Sequence, residues 1–401
     1  MSQYNKISCE IKVTNPGGDF VKFFECISVT VDSSYDTVTD TAKVVLPKHN
    51  RWIVKDTSGL NTYVLMDSDG FTQRGLFRPG DSIEIKLGYD FNNALVFQGY
   101  VTGIDPKRPF ALLCEDAAWL LKRKKISLSL RGPRNKLSDF IDQLLDGTGV
   151  SLHSVVKPEQ ITFGKIRFNN VTVAQILNEW KKDGLISYIR DGQLVVGRSF
   201  FSNSANILRS SEAPDYTPPT YNLEYDVPAD NGDQLILNTI DKRAVAVRAV
   251  SRHQNNKSLT MTVVLHPEEM DDRLIVVQEA DTRKTQEEVR EDAQRIERDL
   301  NNTTINLDQY QTRTLHYYGL ERDELLENVM GDFFKIVDTG FGGHFIAFGD
   351  NNLQPATTLY VIDPTNTEKN GEFIIKSVHK TFGQDGYWQT VQIPHKFKNY
   401  G

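Results

Sequence analysis

FRPGDSIEIKLGYD, Phe77–Asp90, carries the instruction on which the fold depends. Pro79 presets φ for the second position of a turn, and Gly80 supplies the positive φ that a type II turn needs at its third. From Asp81 onward, Ile83, Ile85, Leu87 and Tyr89 alternate with Ser82, Glu84, Lys86 and Gly88. That period of two is the signature of a strand with one face on a core. A looser version, VMGDFFKIVD, lies at Val329–Asp338, with Met330 in the place of proline and Gly331–Asp332 retained. Phe333, Phe334, Ile336 and Val337 predict a second strand, covered on both faces or set at an interface. Gly80 and Gly331 are both expected at positive φ in equivalent turns.

The surroundings of the two stretches match in order. Before the first, ECISVTVDSSYDTVTDTAKVVL (Glu25–Leu46) reads as a hairpin, and residues 48–76 as an insertion; after it come ALVFQGYVTGI (Ala94–Ile104) and PFALLCE (Pro109–Glu115). Around the second, Lys242–Leu265 reads as a hairpin and is followed by a long insertion. GEFIIKSVHKTF (Gly371–Phe382) and GYWQTVQIPH (Gly386–His395) close the series. Five elements in the same order predict an internal duplication of a β domain.

Between the copies the texture changes. Leu137, Phe140, Ile141, Leu144 and Leu145 fall on one helical face that ends at Gly147. A second helix opens on a capping box, Thr172 with Gln175, and aligns Val173, Ile176, Leu177 and Trp180 before Gly184. LISYIRDGQLVVG then predicts a hairpin turning at Asp191–Gly192. Residues 202–238, rich in Ser, Pro and Asn, read as a surface connection. KTQEEVREDAQRIERDL (Lys284–Leu300) reads as a helix with a narrow apolar stripe of Val289, Ala293, Ile296 and Leu300.

The expected fold class is α+β and mainly β, with two duplicated antiparallel barrels. The expected divisions are a first barrel at 1–125, a small α+β module at 126–200 and an extended linker at 201–241. A second barrel follows at 242–265 plus 310–401, with a helical insertion at 266–309.

The composition narrows the function. In 401 residues, 46 Lys and Arg face 53 Asp and Glu, for a net charge of −7. That balance weighs against a phosphate-gripping nucleic-acid binder. The one basic run, LLKRKKIS (Leu120–Ser127), is short, lacks interleaved aromatics and reads as a solvated patch at a domain edge. No apolar run reaches the length of a membrane helix, and the N-terminus has no secretory pattern. Cys9, Cys26 and Cys114 are few, odd in number and far apart, which predicts buried thiols in a reducing compartment rather than a disulfide framework.

Candidate chemistry is sparse. The eight histidines, at 49, 153, 253, 266, 316, 344, 379 and 395, include no HExxH pair. HPEEMDD from His266 reads as a polar loop, and Glu287–Glu288 as a charged helix face. TGFGGHF (Thr339–Phe345) lacks the following helix of a phosphate loop and reads as a hairpin tip. There is no GxSxG elbow or Walker loop. No catalytic, cofactor-binding or metal-ligating residue is assigned, and no cofactor is expected.

The order of elements resembles the central baseplate hub of contractile phage tails, together with the late control D proteins and the N-terminal half of the VgrG spikes of type VI secretion. The residues carrying the resemblance are FRPGDSIEIKL with VFQGYVTGID, VTVAQILNEWKKDGLISYIRDGQLVVG, and VMGDFFKIVD with GEFIIKSVHKTF and GYWQTVQI. The resemblance implies a homotrimer of duplicated tube domains, a pseudo-sixfold ring adapting a hexameric tail tube to a trimeric spike protein. The tape measure protein and the baseplate wedge proteins are further implied partners, and the location is the virion tail or an injection particle made in the bacterial cytoplasm. No enzyme activity, specific nucleic-acid binding or membrane anchor is implied. Because the sequence ends soon after the second β domain, the spike is expected to be a separate protein. A tail-tip cell-wall hydrolase and a peripheral carbohydrate-binding tail protein are the alternatives.

Overall fold

A computed structural model describes residues 6–47, 51–55, 61–65, 77–105, 109–131, 135–163, 166–181, 185–198, 218–226, 234–238, 244–252, 257–265, 274–282, 306–336, 340–349 and 353–394. The chain is α+β and mainly β.

The first unit contains β1 (Ile7–Thr14), β2 (Phe20–Phe23), β3 (Ser28–Ser34), β4 (Thr41–Leu46), β5 (Arg51–Lys55), β6 (Asn61–Leu65), β7 (Ser82–Tyr89), β8 (Asn92–Asp105) and β9 (Phe110–Glu115). They pair in the order β3-β4-β9-β8-β7-β1-β2-β5-β6. The alternation in β7 points Ile83, Ile85 and Leu87 into a core with Ile11, Phe23, Val29, Val44 and Leu112. Gly80 has φ +104° as expected. Its N–H donates to the Val101 carbonyl at 2.8 Å, and the Val101 N–H donates to the Asp81 carbonyl at 2.8 Å. The Asp81 carboxylate accepts from the Arg78 N–H at 2.7 Å, closing the turn on itself.

The middle module follows as α1 (Ala118–Arg123), β10 (Lys125–Leu130), β11 (Asn135–Lys136), α2 (Ile141–Leu145), β12 (Thr162–Phe163), β13 (Ile166–Thr172), α3 (Val173–Lys181), β14 (Leu185–Arg190) and β15 (Gln193–Arg198). The capping box forms: the Thr172 N–H donates to Gln175 Oε1 at 2.9 Å, and the Gln175 N–H donates to Thr172 Oγ1 at 3.2 Å. Asp191 and Gly192 turn the hairpin at φ +50° and +74°, a primed turn. The first expected helix is broken instead into a 3₁₀ turn at Leu137–Asp139 and the short α2, because Phe140 leaves the helical region at φ −144°. Its apolar face is buried all the same.

The second unit departs from the expected boundaries. Its strands are β16 (Thr220–Asn222) and β17 (Gln234–Asn238), then, after an insertion, β22 (Gly340–Phe348), β23 (Thr358–Ile362), β24 (Gly371–Ile374), β25 (Ser377–Gly383) and β26 (Gly386–Ile393). The stretch expected to be a linker therefore supplies two strands. The insertion holds β18 (Val245–Arg252), β19 (Ser258–Leu265), β20 (Leu274–Asp281), β21 (Gln311–Tyr318) and α4 (Arg322–Ile336). The hairpin expected at 242–265 does form, as β18 and β19. It pairs within a separate four-stranded sheet and not with the strands of 340–393. The helix expected at Lys284–Leu300 lies outside the described residues.

VMGDFFKI is helical, which overturns the expected second Gly-Asp strand. Leu325, Val329, Phe333 and Ile336 recur at helical spacing and pack on Val247, Met261 and Val263. Gly331 sits inside α4 rather than in a turn. Glycine in a helix interior is about 1 kcal/mol worse than alanine, so Gly331→Ala should raise stability by about that amount. Gly80→Val should lower it by roughly 1 kcal/mol or more, because a β-branched residue is strained at positive φ. Opposite shifts in denaturant midpoint are the expected pair of results; a loss in both variants would restore the turn at Gly331.

The duplication survives with a different alignment. In chain order, β1, β3, β4, β7, β8 and β9 correspond to β16, β17, β22, β23, the nearly continuous β24–β25, and β26. The pairing order β3-β4-β9-β8-β7-β1 recurs as β17-β22-β26-β25, with β24-β23-β16 continuing from the same segment. The counterpart of Pro79–Gly80–Asp81 is Pro355–Ala356–Thr357. The Ala356 N–H donates to the Ile375 carbonyl and the Ile375 N–H to the Thr357 carbonyl, both at 2.8 Å, repeating the bonds of Gly80, Val101 and Asp81. Ala356 holds φ +62° in the place of glycine. The one difference in direction is that β16 runs parallel to β23, whereas β1 is antiparallel to β7.

Candidate functional site: the seam and the open edges

The two units meet edge to edge. β25 of the second pairs antiparallel with β3 of the first, from Ser377↔Ser34 to Gly383↔Ser28, and makes one 13-stranded sheet. Polar contacts run along the join. Lys376 Nζ lies 2.8 Å from Asp36 Oδ2, and His379 Nδ1 lies 2.5 Å from Asp32 Oδ1. Tyr89 Oη donates to the Tyr387 carbonyl at 3.1 Å.

Beneath the seam is a cavity of about 110 Å³ lined by Asp40, Asp116, Tyr188, Arg190, Gln354 and Lys380. Asp116 and Lys380 are 4% and 3% exposed. The Asp40 carboxylate accepts from the Ser34 N–H at 3.1 Å, while Asp116 accepts from the N–H groups of Asp40 and Ala118, each at 3.0 Å. Tyr188 Oη is buried with no hydrogen-bond partner among the described residues. Arg190, from the module's hairpin, reaches the carbonyls of Pro355 and Ala356 at 3.4 Å, tying the module to the second unit's turn.

Burial sets the charges here. It pushes Asp40 up to about 7 against the pull of its Ser34 bond and of Lys380. Asp116 is raised well above its ordinary range by burial and then by Asp40. Burial lowers Lys380 to about 8, with Asp40 opposing. The folded chain thus holds the Asp40 proton more tightly than the unfolded chain, so this group's stabilisation is full below pH 3.8 and is lost as pH rises to about 7. Lys380 acts in the opposite sense, with stability returning only between about pH 8 and 10.5. Denaturant midpoints should fall from pH 4 to 7, and Asp40→Asn should flatten that fall; an unchanged slope would contradict the assignment.

The acids and the lysine face one another beneath the join, and the sequence reading missed them because Asp40, Asp116 and Lys380 are distant in the chain. The residues weighed as candidates lie elsewhere. His153, His316 and His344 are not brought together with His379, and no cluster of metal-ligating side chains occurs among the described residues. His49, His253, His266, His395, the HPEEMDD acids and Glu287–Glu288 fall outside them. Gly340–Phe345 forms the start of β22 and not a hairpin tip. Part of the basic run is engaged locally: Lys122 pairs with Glu115 at 2.7 Å, Lys124 donates to the Asp146 carbonyl at 2.7 Å, and Arg123 covers Trp119 at 4.6 Å. Cys9 and Cys26 lie side by side, Sγ to Sγ 3.7 Å, a proximity that their spacing in sequence conceals.

Two stretches of strand edge pair with no further strand among the described residues. β17 ends the sheet order, bonded to β22 alone, with Ile236 67% and Leu237 46% exposed. In β8, residues 103–105 pair with β9 on one side, while β7 and its turn cover the other side as far as Val101.

No protein-family model matches this sequence, and no curated protein matches it. Solved structures do. A tail protein from Neisseria meningitidis MC58 superposes with a TM-score of 0.53 at 15% identity, over 97% of each chain. The 43 kDa tail protein of prophage MuSo2 from Shewanella oneidensis gives 0.51 at 11% identity, over 96% of this chain and 98% of that one. The fold is therefore one found in phage tail proteins.

Proposed function

We propose that the chain is a structural baseplate hub of a contractile phage tail or related injection device. In this reading three copies close around an axial channel, and six similar β units meet a hexameric tail tube protein on one side and a trimeric spike protein on the other. The observation that carries it is the duplication itself: two units of like topology, already joined edge to edge within one chain. A head-to-tail contact between identical chains makes a ring when its rotation closes, and two units per chain turn threefold into approximate sixfold symmetry. The tail-like fold supports the same setting, as does the acidic balance, since a conduit should not hold phosphates tightly. The chain acts without catalysis; tape measure and wedge proteins are the remaining neighbours in this scheme. Light scattering across a concentration series should give the mass of three chains, and the purified protein should not turn over peptidoglycan. A stable dimer or measurable turnover would overturn the reading.

A further inference from the structure

Cys9 stands in β1 with its side chain in the core of the first unit, and Cys26 lies just before β3, half-buried against the same core. Both sit on anchored backbone. β7 holds Cys9 opposite Leu87, and the Ile27 N–H beside Cys26 donates to the Val45 carbonyl at 2.8 Å. In the pairing order β3-β4-β9-β8-β7-β1 the two strands are the ends of one run, and among the described residues no strand pairing joins them. The run curls far enough for the sulfurs at its ends to touch, Sγ to Sγ 3.7 Å. On its outer edge β1 is paired by β2 only from Ile11 to Thr14, so Cys9 lies on the part that β2 leaves.

We infer that Cys9 and Cys26 are a redox-closed staple: two thiols under reducing conditions, an intrachain disulfide once a peroxide reaches the folded chain. The inference stands on the sulfur contact and the strand order, and is independent of the hub reading. The sulfurs are already in contact, so the bond asks for a small approach of two side chains. The S–H of Cys26, set against Cys9, draws the Cys9 thiol below its ordinary range, against burial and the charge of Glu25. The thiolate is the reactive form. It takes one oxygen from hydrogen peroxide and releases hydroxide, which the proton shed by the thiol converts to water. The second sulfur then attacks the resulting sulfenic acid, the S–S bond forms, and the oxygen leaves as a second water. Two electrons pass from the sulfurs to the peroxide. Cys114 shares the core, but burial pushes it up to about 12, and it stays a thiol. The closed bond joins positions 17 apart in sequence and ties β1 to the start of β3, the strand that carries the join with β25.

The test uses the full chain, reduced and then freed of reductant. It is treated with a small excess of hydrogen peroxide, quenched with catalase, unfolded and titrated with a thiol reagent. The count should fall from three thiols to one. A digest should show Cys9 joined to Cys26 within one chain and Cys114 alkylated, and dithiothreitol should restore all three thiols. The closed form should unfold at a higher denaturant midpoint than the reduced form, and Cys26→Ser treated in the same way should show no such rise. The thiol count is read on the unsubstituted chain, so it decides the matter even where that variant fails to fold. Three surviving thiols, a bond that includes Cys114, or sulfinic acid at Cys9 or Cys26 in place of the cross-link would overturn the staple.

Discussion

Gly343→Val should detach β17 from β22. Gly343 holds φ +142°, and a Cβ there would lie 2.2 Å from the Gln234 carbonyl oxygen in the neighbouring strand. Leu235 is the register partner of Gly343, and among the described residues β22 alone holds β17 in place. The strand cannot give way by a few tenths of an ångström at one carbonyl and keep its five-residue ladder. Releasing Leu235 costs about 1.5–3 kcal/mol of burial, and a β-branched residue at this backbone angle adds about 1–3 kcal/mol of strain. Hydrogen exchange should show 234–238 losing protection while Ser82–Tyr89 keeps it. Retained protection of 234–238 in the variant would contradict the placement of β17.

The second large effect is expected at Phe345, fully buried in β22. Its ring packs beside Tyr221 with centroids 5.7 Å apart, in a core that includes Leu359, Val361, Phe373 and Val391. Truncation to alanine removes a large side chain from a site fixed by strands on both sides, so the cavity has little means to collapse. Phe345→Ala should cost about 3–5 kcal/mol, read as a fall in denaturant midpoint with an unchanged slope. A loss below about 1 kcal/mol would mean that this core is not built as described.

The sequence carried β3, β4, β7, β8 and β9 of the first unit because their signals are local, while β1 and β2 went unread and β5 and β6 fell in the stretch read as an insertion. The proline and glycine of the turn, the alternation of Ile83, Ile85 and Leu87, and the hairpin of β3 and β4 each fit within a dozen residues. The last strands of the second unit were legible for the same reason. Its beginning was not. β17 and β22 form a hairpin in space, but about a hundred residues separate them in the chain, and the intervening insertion brings a genuine hairpin of its own. That hairpin, β18 and β19, has the alternation expected of the missing one. VMGDFFKI misleads because eight residues rich in Phe and Ile fit a buried strand as well as a helix. Extending the window back to Leu325 restores the helical period. The true partner of the Gly80 turn was hidden by substitution: Ala356 adopts a glycine conformation without being glycine, held by its bond to Ile375. The group of Asp40, Asp116 and Lys380 left no trace in spacing, since the pairing of β4 with β9 brings the two acids together and the join of β3 with β25 adds Lys380.

Imaging the chain in its parent particle tests the central claim most directly. A reconstruction should find three copies on the tail axis, with six β units around the channel. Six copies, or a position away from the axis, would contradict it.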